Sequence, residues 1–265
     1  MSDSPLSERA LADTFDGGHY VDAWEAVEQY RSVMSYSSRH PTMGSSALAA
    51  RFDDVPRGRI RTWLDGGSPD PVRAIDTAHE YGWLHAGFDD ETFSGLNALV
   101  ANVFSGGSIA GQYYQPSFAL TQHGEQAHVI DALELAGIDY RIVDDRDGRA
   151  DEARPTEDGT VLGRTLAALG APVGPKAGKR LALPDYLEDA PDETRERFVH
   201  AYLENRAVER EGKDTLTVRE ERNREYLTSL ADLIEDVADG PVRLGERDII
   251  ISADAARSLE GLVTQ

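Results

Sequence analysis

The chain has 265 residues, no cysteine and a formal net charge of −21. Without cysteine there are no disulfides, thiolate zinc sites or cysteine nucleophiles. No apolar run approaches the roughly 18 residues of a membrane span, and no signal-peptide core is present, so a cytoplasmic location is expected. The length suits one large or two small domains.

The lysines are Lys176, Lys179 and Lys213 alone, among 27 basic residues. Arginine-rich acidity of this kind is expected of a salt-adapted protein of haloarchaeal type. The basic residues are also unevenly spread. Arg31, Arg39, Arg51, Arg57, Arg59 and Arg61 face only Asp53 and Asp54 over 30–64, and Arg164, Lys176, Lys179 and Arg180 meet no acid over 159–184. Two basic islands on an acidic chain point to phosphate contact.

In chain order, 1–18 is Ser/Asp-rich and reads as a loose leader. Tyr20, Trp24, Val27, Tyr30 and Met34 recur at helical spacing and predict an amphipathic helix, stopped near Pro41. Ser45 or Ser46 is placed to cap a short helix over 47–52. Asp53-Asp54-Val55 makes a turn, and Pro56 at a first helical position opens another helix through Leu64, ended by Gly66-Gly67. This is the outline of a helix-turn-helix, with Ala50, Val55, Ile60 and Trp63 at packing positions. Arg57, Arg59 and Arg61 fall on the first two turns of its second helix, where base edges and phosphates are met. A plain helical hairpin with a solvated arginine face is the alternative. A helix over 72–83 closes a small all-α domain, 19–87, before the linker at 87–90.

From 92 to 124 there is no Asp, Glu, Lys or Arg. An apolar helix over 96–105 runs into Gly106-Gly107 and then Ser108-Ile109. Two strands are predicted over 108–114 and 117–121, a helix over 125–136 and a strand over 140–143. The polar, acidic stretch 144–159 reads as an exposed loop. A short helix, a Gly170-Ala171-Pro172 turn, Gly174-Pro175-Lys176 and Leu183-Pro184-Asp185-Tyr186 lead to a second long helix over 195–207. A strand over 215–219, a helix over 222–238, a hairpin over 242–252 and a helix over 253–262 complete a pseudo-repeat. Its second copy is one strand short.

The run 96–109 resembles the core motif of LAGLIDADG homing endonucleases, in which an apolar helix ends in an acid, Gly and Ser-Ile. The segment 162–187 is similar to the bridge between two such motifs, and 195–207 to the second motif helix. The resemblance implies paired helices, with β-sheets forming a saddle over duplex DNA. It implies a divalent metal held by the acid at each helix foot. Here Gly106 and Arg206 stand at those acid positions, and Glu204, two residues before Arg206, is the residual carboxylate. The resemblance therefore implies the scaffold without the nuclease.

Other chemistry is poorly served. Gly170, Gly174 and Lys176 lack phosphate-loop spacing, and no Ser or Thr follows the lysine, so no nucleotide cofactor is expected. The seven histidines show no i, i+4 pair, and Ser105 and Ser108 form no nucleophile elbow. The acidic loop lacks the ligand pattern of an EF-hand. The fold expected is α+β: a helix-turn-helix module, then a two-repeat α/β domain over 91–265 (repeats 91–158 and 191–265, bridge 159–190). The function expected is sequence-specific binding of double-stranded DNA by a non-catalytic transcriptional regulator, as monomer or homodimer, without cofactor. The DNA-contact set is Ser45, Ser46, Arg57, Arg59, Arg61, Arg164, Lys176, Lys179 and Arg180. One alternative is a weak magnesium-dependent endonuclease or nickase using Glu204. The other is a protein-interaction module.

Overall fold

The computed structural model describes residues 4–16, 18, 22–120, 127–144, 150–210 and 213–262. Five helices come first: α1 (Glu8–Ala12), α2 (Ala23–Arg39), α3 (Ser45–Arg51), α4 (Arg57–Leu64) and α5 (Asp70–Glu80). The expectation of a loose leader is corrected. Ser7 caps α1 by accepting from the Ala10 amide at 3.1 Å, and Leu6, Leu11 and Ala12 are buried. Glu8 then ties α1 down, since its carboxylate accepts from both terminal nitrogens of Arg31 on α2 (2.7 and 3.0 Å) and lies 2.7 Å from His79 Nε2 on α5. Arg31 holds the Glu8 carboxyl well below its usual range, at about 2. Tyr20, expected on the second helix, lies outside the described residues; α2 opens instead at Asp22, whose side chain caps the Glu25 amide at 2.8 Å.

Two cores form. A small one gathers Val33, Leu48, Val55, Ile60 and Trp63 between α2, α3 and α4, with the Tyr30 ring edge-on to Trp63 at 5.4 Å. The larger one takes Val72, Ile75 and Ala78 of α5 together with Trp83, whose indole N–H donates to the Ala136 carbonyl at 2.9 Å. By packing, α5 therefore sits with the rest of the chain, while α3 and α4 pack with α2 on the small core.

The remainder is a twofold repeat. The first copy is α6 (Glu91–Ser105), β1 (Gly107–Ile109), β2 (Pro116–Ala119), α7 (His128–Leu135), β3 (Tyr140–Val143), β4 (Glu152–Pro155) and α8 (Gly159–Ala168). After α9 (Tyr186–Asp189) comes the second: α10 (Asp192–Arg206), β5 (Ala207–Arg210), β6 (Lys213–Arg219), α11 (Arg224–Val237), β7 (Val242–Leu244), β8 (Asp248–Ile251) and α12 (Ala253–Leu262). Each copy makes a four-stranded antiparallel sheet, in the orders β1-β2-β4-β3 and β5-β6-β8-β7. The register matches as well, with Gly107 opposite Phe118 in one sheet and Ala207 opposite Val218 in the other. The fold is thus α+β, and both copies are complete.

That completeness corrects two sequence expectations. The stretch read as an acidic exposed loop contains β4, whose Ala153 is fully buried while Glu152 and Arg154 pair on the other face; its residues 145–149 lie outside the described set. In the second copy β5 supplies the strand thought to be missing. In β4 the charged neighbours of the buried alanine masked the period-2 alternation, and in β5 the outward position holds an apolar residue, Val208. The helix expected over 125–136 is seen from His128, with 125 and 126 outside the described residues.

Helices α6 and α10 pack along one another more extensively than any other pair of elements. Fully buried Phe104 of α6 and Phe198 of α10 meet with ring centroids 6.2 Å apart. The seam also carries polar side chains. Asn97, wholly buried, donates to the Thr194 carbonyl (2.8 Å) and accepts from the Tyr186 hydroxyl (2.7 Å). Lower down, Asn205 donates to Asn102 Oδ1 and Ser105 Oγ at 2.8 and 2.9 Å. Gly163 lets α8 reach the Tyr114 turn: a Cβ there would sit 1.7 Å from the Tyr114 carbonyl oxygen.

Candidate nucleic-acid interface

Helix α4 carries Arg57, Arg59 and Arg61. Ile60 and Trp63 anchor its inner face in the small core, leaving the opposite face to solvent. Ser45 and Ser46 stand at the start of α3, but neither caps it; Gly44 takes that position and no side chain bonds there. Pro56 is likewise the N-cap of α4 rather than its first turn, its fixed φ of −56° turning the chain into the helix. The start of α3 thus moves by two residues and that of α4 by one.

The three arginines of α4 divide. Arg57 and Arg61 are exposed and, four residues apart, share one face. Arg59, about 200° from Arg57 around the helix, is half-buried on the flank of the small core. Arg61 has Asp65 at 3.7 Å, with both side chains more than 70% exposed, a contact weak enough for a stronger anion to displace. Arg51, at the end of α3, lies over the rings of Tyr36 and Phe52, each at 5.7 Å.

The second basic island is different, because most of its cations already have internal partners. Arg164 lies 3.6 Å over the Phe15 ring and 4.0 Å over Tyr114, and bonds the Thr14 carbonyl; it clamps the N-terminal segment to α8. Burial lowers its pKa. Lys176 turns inward and donates to the carbonyls of Val103, Phe104 (3.1 Å) and Gly107 (2.9 Å). It thereby caps the C-terminal end of α6, where carbonyls collect partial negative charge. Burial, with Arg206 and Arg222 nearby, brings its pKa down to about 8. Lys179 is exposed and donates to the Val173 carbonyl at 2.6 Å, and Arg180 pairs with Glu225. The chain thus gives Arg164 and Lys176 structural tasks and leaves Lys179 and Arg180 at the surface.

At the feet of α6 and α10 the matching strand registers make Gly106 and Arg206 equivalent positions. A Cβ at Gly106 would come within 3.0 Å of the Asn205 side chain, so the glycine lets the two feet close up. Arg206 Nε lies 3.0 Å from Glu220 Oε1, and Arg222 Nε lies 3.1 Å from Oε2. The Glu220 side chain is only 2% exposed. Tyr202 and Tyr226 are buried next to this group, and burial is the main cause that raises both their pKa values. Glu204 is not part of the foot. It lies about 200° around α10 from Arg206 and pairs with His200 one turn earlier at 3.6 Å. Among the described residues no group of three or more His, Asp or Glu is placed to hold a metal ion.

Sequence reasoning missed Asn102, Asn205, Glu220 and Arg222. Asn97 and Asn102 carried a signal, as polar residues inside an otherwise apolar helix. Glu220 carried none: Arg219-Glu220-Glu221-Arg222 reads as a solvated charge run.

No family model matches the chain, and no curated protein matches it. The solved structure of full-length DUF199/WhiA from Thermatoga maritima aligns with a TM-score of 0.40 and 9% identity, covering 68% of this chain and 62% of that one. The chain therefore spans less than two thirds of that protein, and a likeness this distant supports no transfer of function. These findings correct the resemblance to LAGLIDADG homing endonucleases, since no model of that family matches. The motif-like run has a local cause. A helix buried on nearly every side must be apolar, and a Gly pair at its foot meets close packing against Asn205 and Phe118.

Proposed function

We propose that this protein binds double-stranded DNA in a sequence-specific way and acts as a non-catalytic transcriptional regulator, with α4 as its reading helix. The observation that carries the proposal is the exposed Arg57–Arg61 face on a helix anchored by its own small core. A duplex attracts such a face electrostatically, and the N-terminal half of a recognition helix is where base edges come within reach. The exposed positions of the two sheets, including Ser108 and Arg141 in one and Val208 and Arg243 in the other, offer a second surface for the same duplex. Lys179 and Arg180 remain candidates for backbone contact, the latter by exchanging Glu225 for phosphate.

The absence of catalysis is supported by a glycine and an arginine at the two helix feet. A cation fixed there repels the divalent ion that phosphodiester hydrolysis of the two-metal kind requires. With Glu204 on another face of α10, the carboxylate at the foot is Glu220, which is buried and paired with two arginines.

The test is affinity for a selected duplex, measured against potassium chloride concentration. Replacing Arg57, Arg59 and Arg61 together by Ala should weaken binding strongly. It should also lower the salt slope by about one unit for each lost phosphate contact. Unchanged affinity and slope would show that α4 does not read DNA.

A further inference from the structure

Three cations converge on one buried carboxylate at the foot of the paired helices. Arg206 and Arg222 bracket Glu220, and Lys176 lies close enough for both arginines to act on it. The charge of Lys176 is answered by the three carbonyls it caps. Arg222 is 13% exposed and Arg206 is 36% exposed, so only Arg206 reaches well into solvent. Its Nε lies 3.0 Å from Glu220 Oε1, an ion-pair contact without hydrogen-bond geometry. The forked edge of a guanidinium donates to two oxygens of one tetrahedral anion, and Arg206 is the more exposed of the two arginines beside Glu220. A charge surplus of this kind is unfavourable in a half-buried place unless an anion completes it.

We infer that Arg206, held in position by Glu220, is a seat for a single phosphate group at the junction of the two repeats. Its chemical partner is a phosphate oxyanion, either a phosphodiester of the DNA backbone or free phosphate. The phosphodiester form rests on the DNA-binding reading; the seat itself does not. Glu220 is a positioning residue, since its buried charge holds Arg206 at the foot of α10 without reaching the anion. The twofold relation makes the seat one-sided, because the equivalent position is Gly106. A duplex lying across both repeats would be gripped here on one strand only, which would set its orientation.

The experiment uses the full chain and R206Q. The slope of log affinity against log potassium chloride should fall by about one unit in the variant, with roughly tenfold weaker binding at low salt. Thermal unfolding in sodium phosphate and in sodium chloride of equal ionic strength supplies a second arm. There the wild type should gain a phosphate-specific rise in Tm that R206Q lacks, whereas general salting-out stabilises both alike. Equal slopes and affinities for the two proteins on DNA, with equal phosphate effects, would overturn the seat. If the wild type binds no duplex at all, the DNA reading falls and the phosphate arm alone decides: a rise confined to the wild type sustains a seat for free phosphate, and equal rises overturn it. Should R206Q fail to fold, R206K takes its place. It keeps the charge and loses the fork, so affinity should fall while the slope is retained; unchanged affinity would overturn the proposal.

Discussion

Replacing Glu220 by Gln leaves the guanidinium groups of Arg206 and Arg222 beside one another with no counter-charge, and Lys176 close by. Each contact in the wild type brings opposite charges to 3.0–3.1 Å. At an effective dielectric near 20, a unit pair about 4 Å apart attracts by about 4 kcal/mol before desolvation is counted. Removing one partner of a buried pair costs about 3–5 kcal/mol, because the remaining charge stays buried. Arg206 is 36% exposed and regains water, which places the expected loss at the lower end, about 3 kcal/mol. For a chain of this size that corresponds to a fall in Tm of roughly 6–12 °C. Urea unfolding followed by circular dichroism measures it. The double variant E220Q/R222M removes the excess cation and should recover most of the loss. A loss below about 1 kcal/mol in E220Q, or no recovery in the double variant, would refute the picture of a buried carboxylate that neutralises a cation cluster.

Three further outcomes are expected. Glu8→Gln should cost about 1 kcal/mol, the scale of a half-exposed ion pair. Because the Glu8 carboxyl is held near pH 2, below its usual value of 4.5, its contribution is present above about pH 4.5 and lost as the pH falls toward 2. The variant should therefore show a flatter stability–pH curve in acid, and matching curves would remove α1 from the account. Gly163→Ala places a methyl group where the Tyr114 carbonyl stands, and should destabilise by about 3 kcal/mol through forced separation of α8 from the turn. A neutral result in urea titration would mean that this contact relaxes freely. Trp63→Ala empties the small core and costs about 3–5 kcal/mol locally. Amide exchange should accelerate in α3 and α4 while α6 and α10 keep their protection; uniform loss of protection would show that the two cores are one cooperative unit.

Much of the architecture was legible because burial imposes a period. Ile60 and Trp63 marked the inner face of α4, and the charge-free run 92–124 marked the buried helix α6. What escaped had charged or small residues where the period should show. Strand β4 carries Glu152 and Arg154 beside one buried alanine, and β5 follows α10 directly with no glycine between them. Helix α1 was missed because its anchor is a contact between Glu8, Arg31 and His79, residues far apart in sequence. For the candidate interface, sequence identified which residues are basic but not which way they point. Arg57 and Arg61 face solvent as their spacing implied, while Lys176 turned inward to cap α6 and Arg164 to stack on two rings. Proximity of Glu220 to Arg206 and Arg222 depends on how β6 meets the foot of α10, which no local pattern encodes.

The most direct test of DNA recognition without cleavage is selection from a random duplex pool in potassium chloride with magnesium. Both the recovered sites and their ends are then sequenced. One enriched motif on intact duplexes is expected, lost when Arg57, Arg59 and Arg61 are replaced together. A pool recovered with no enriched motif, or enriched sites carrying defined breaks, would contradict it.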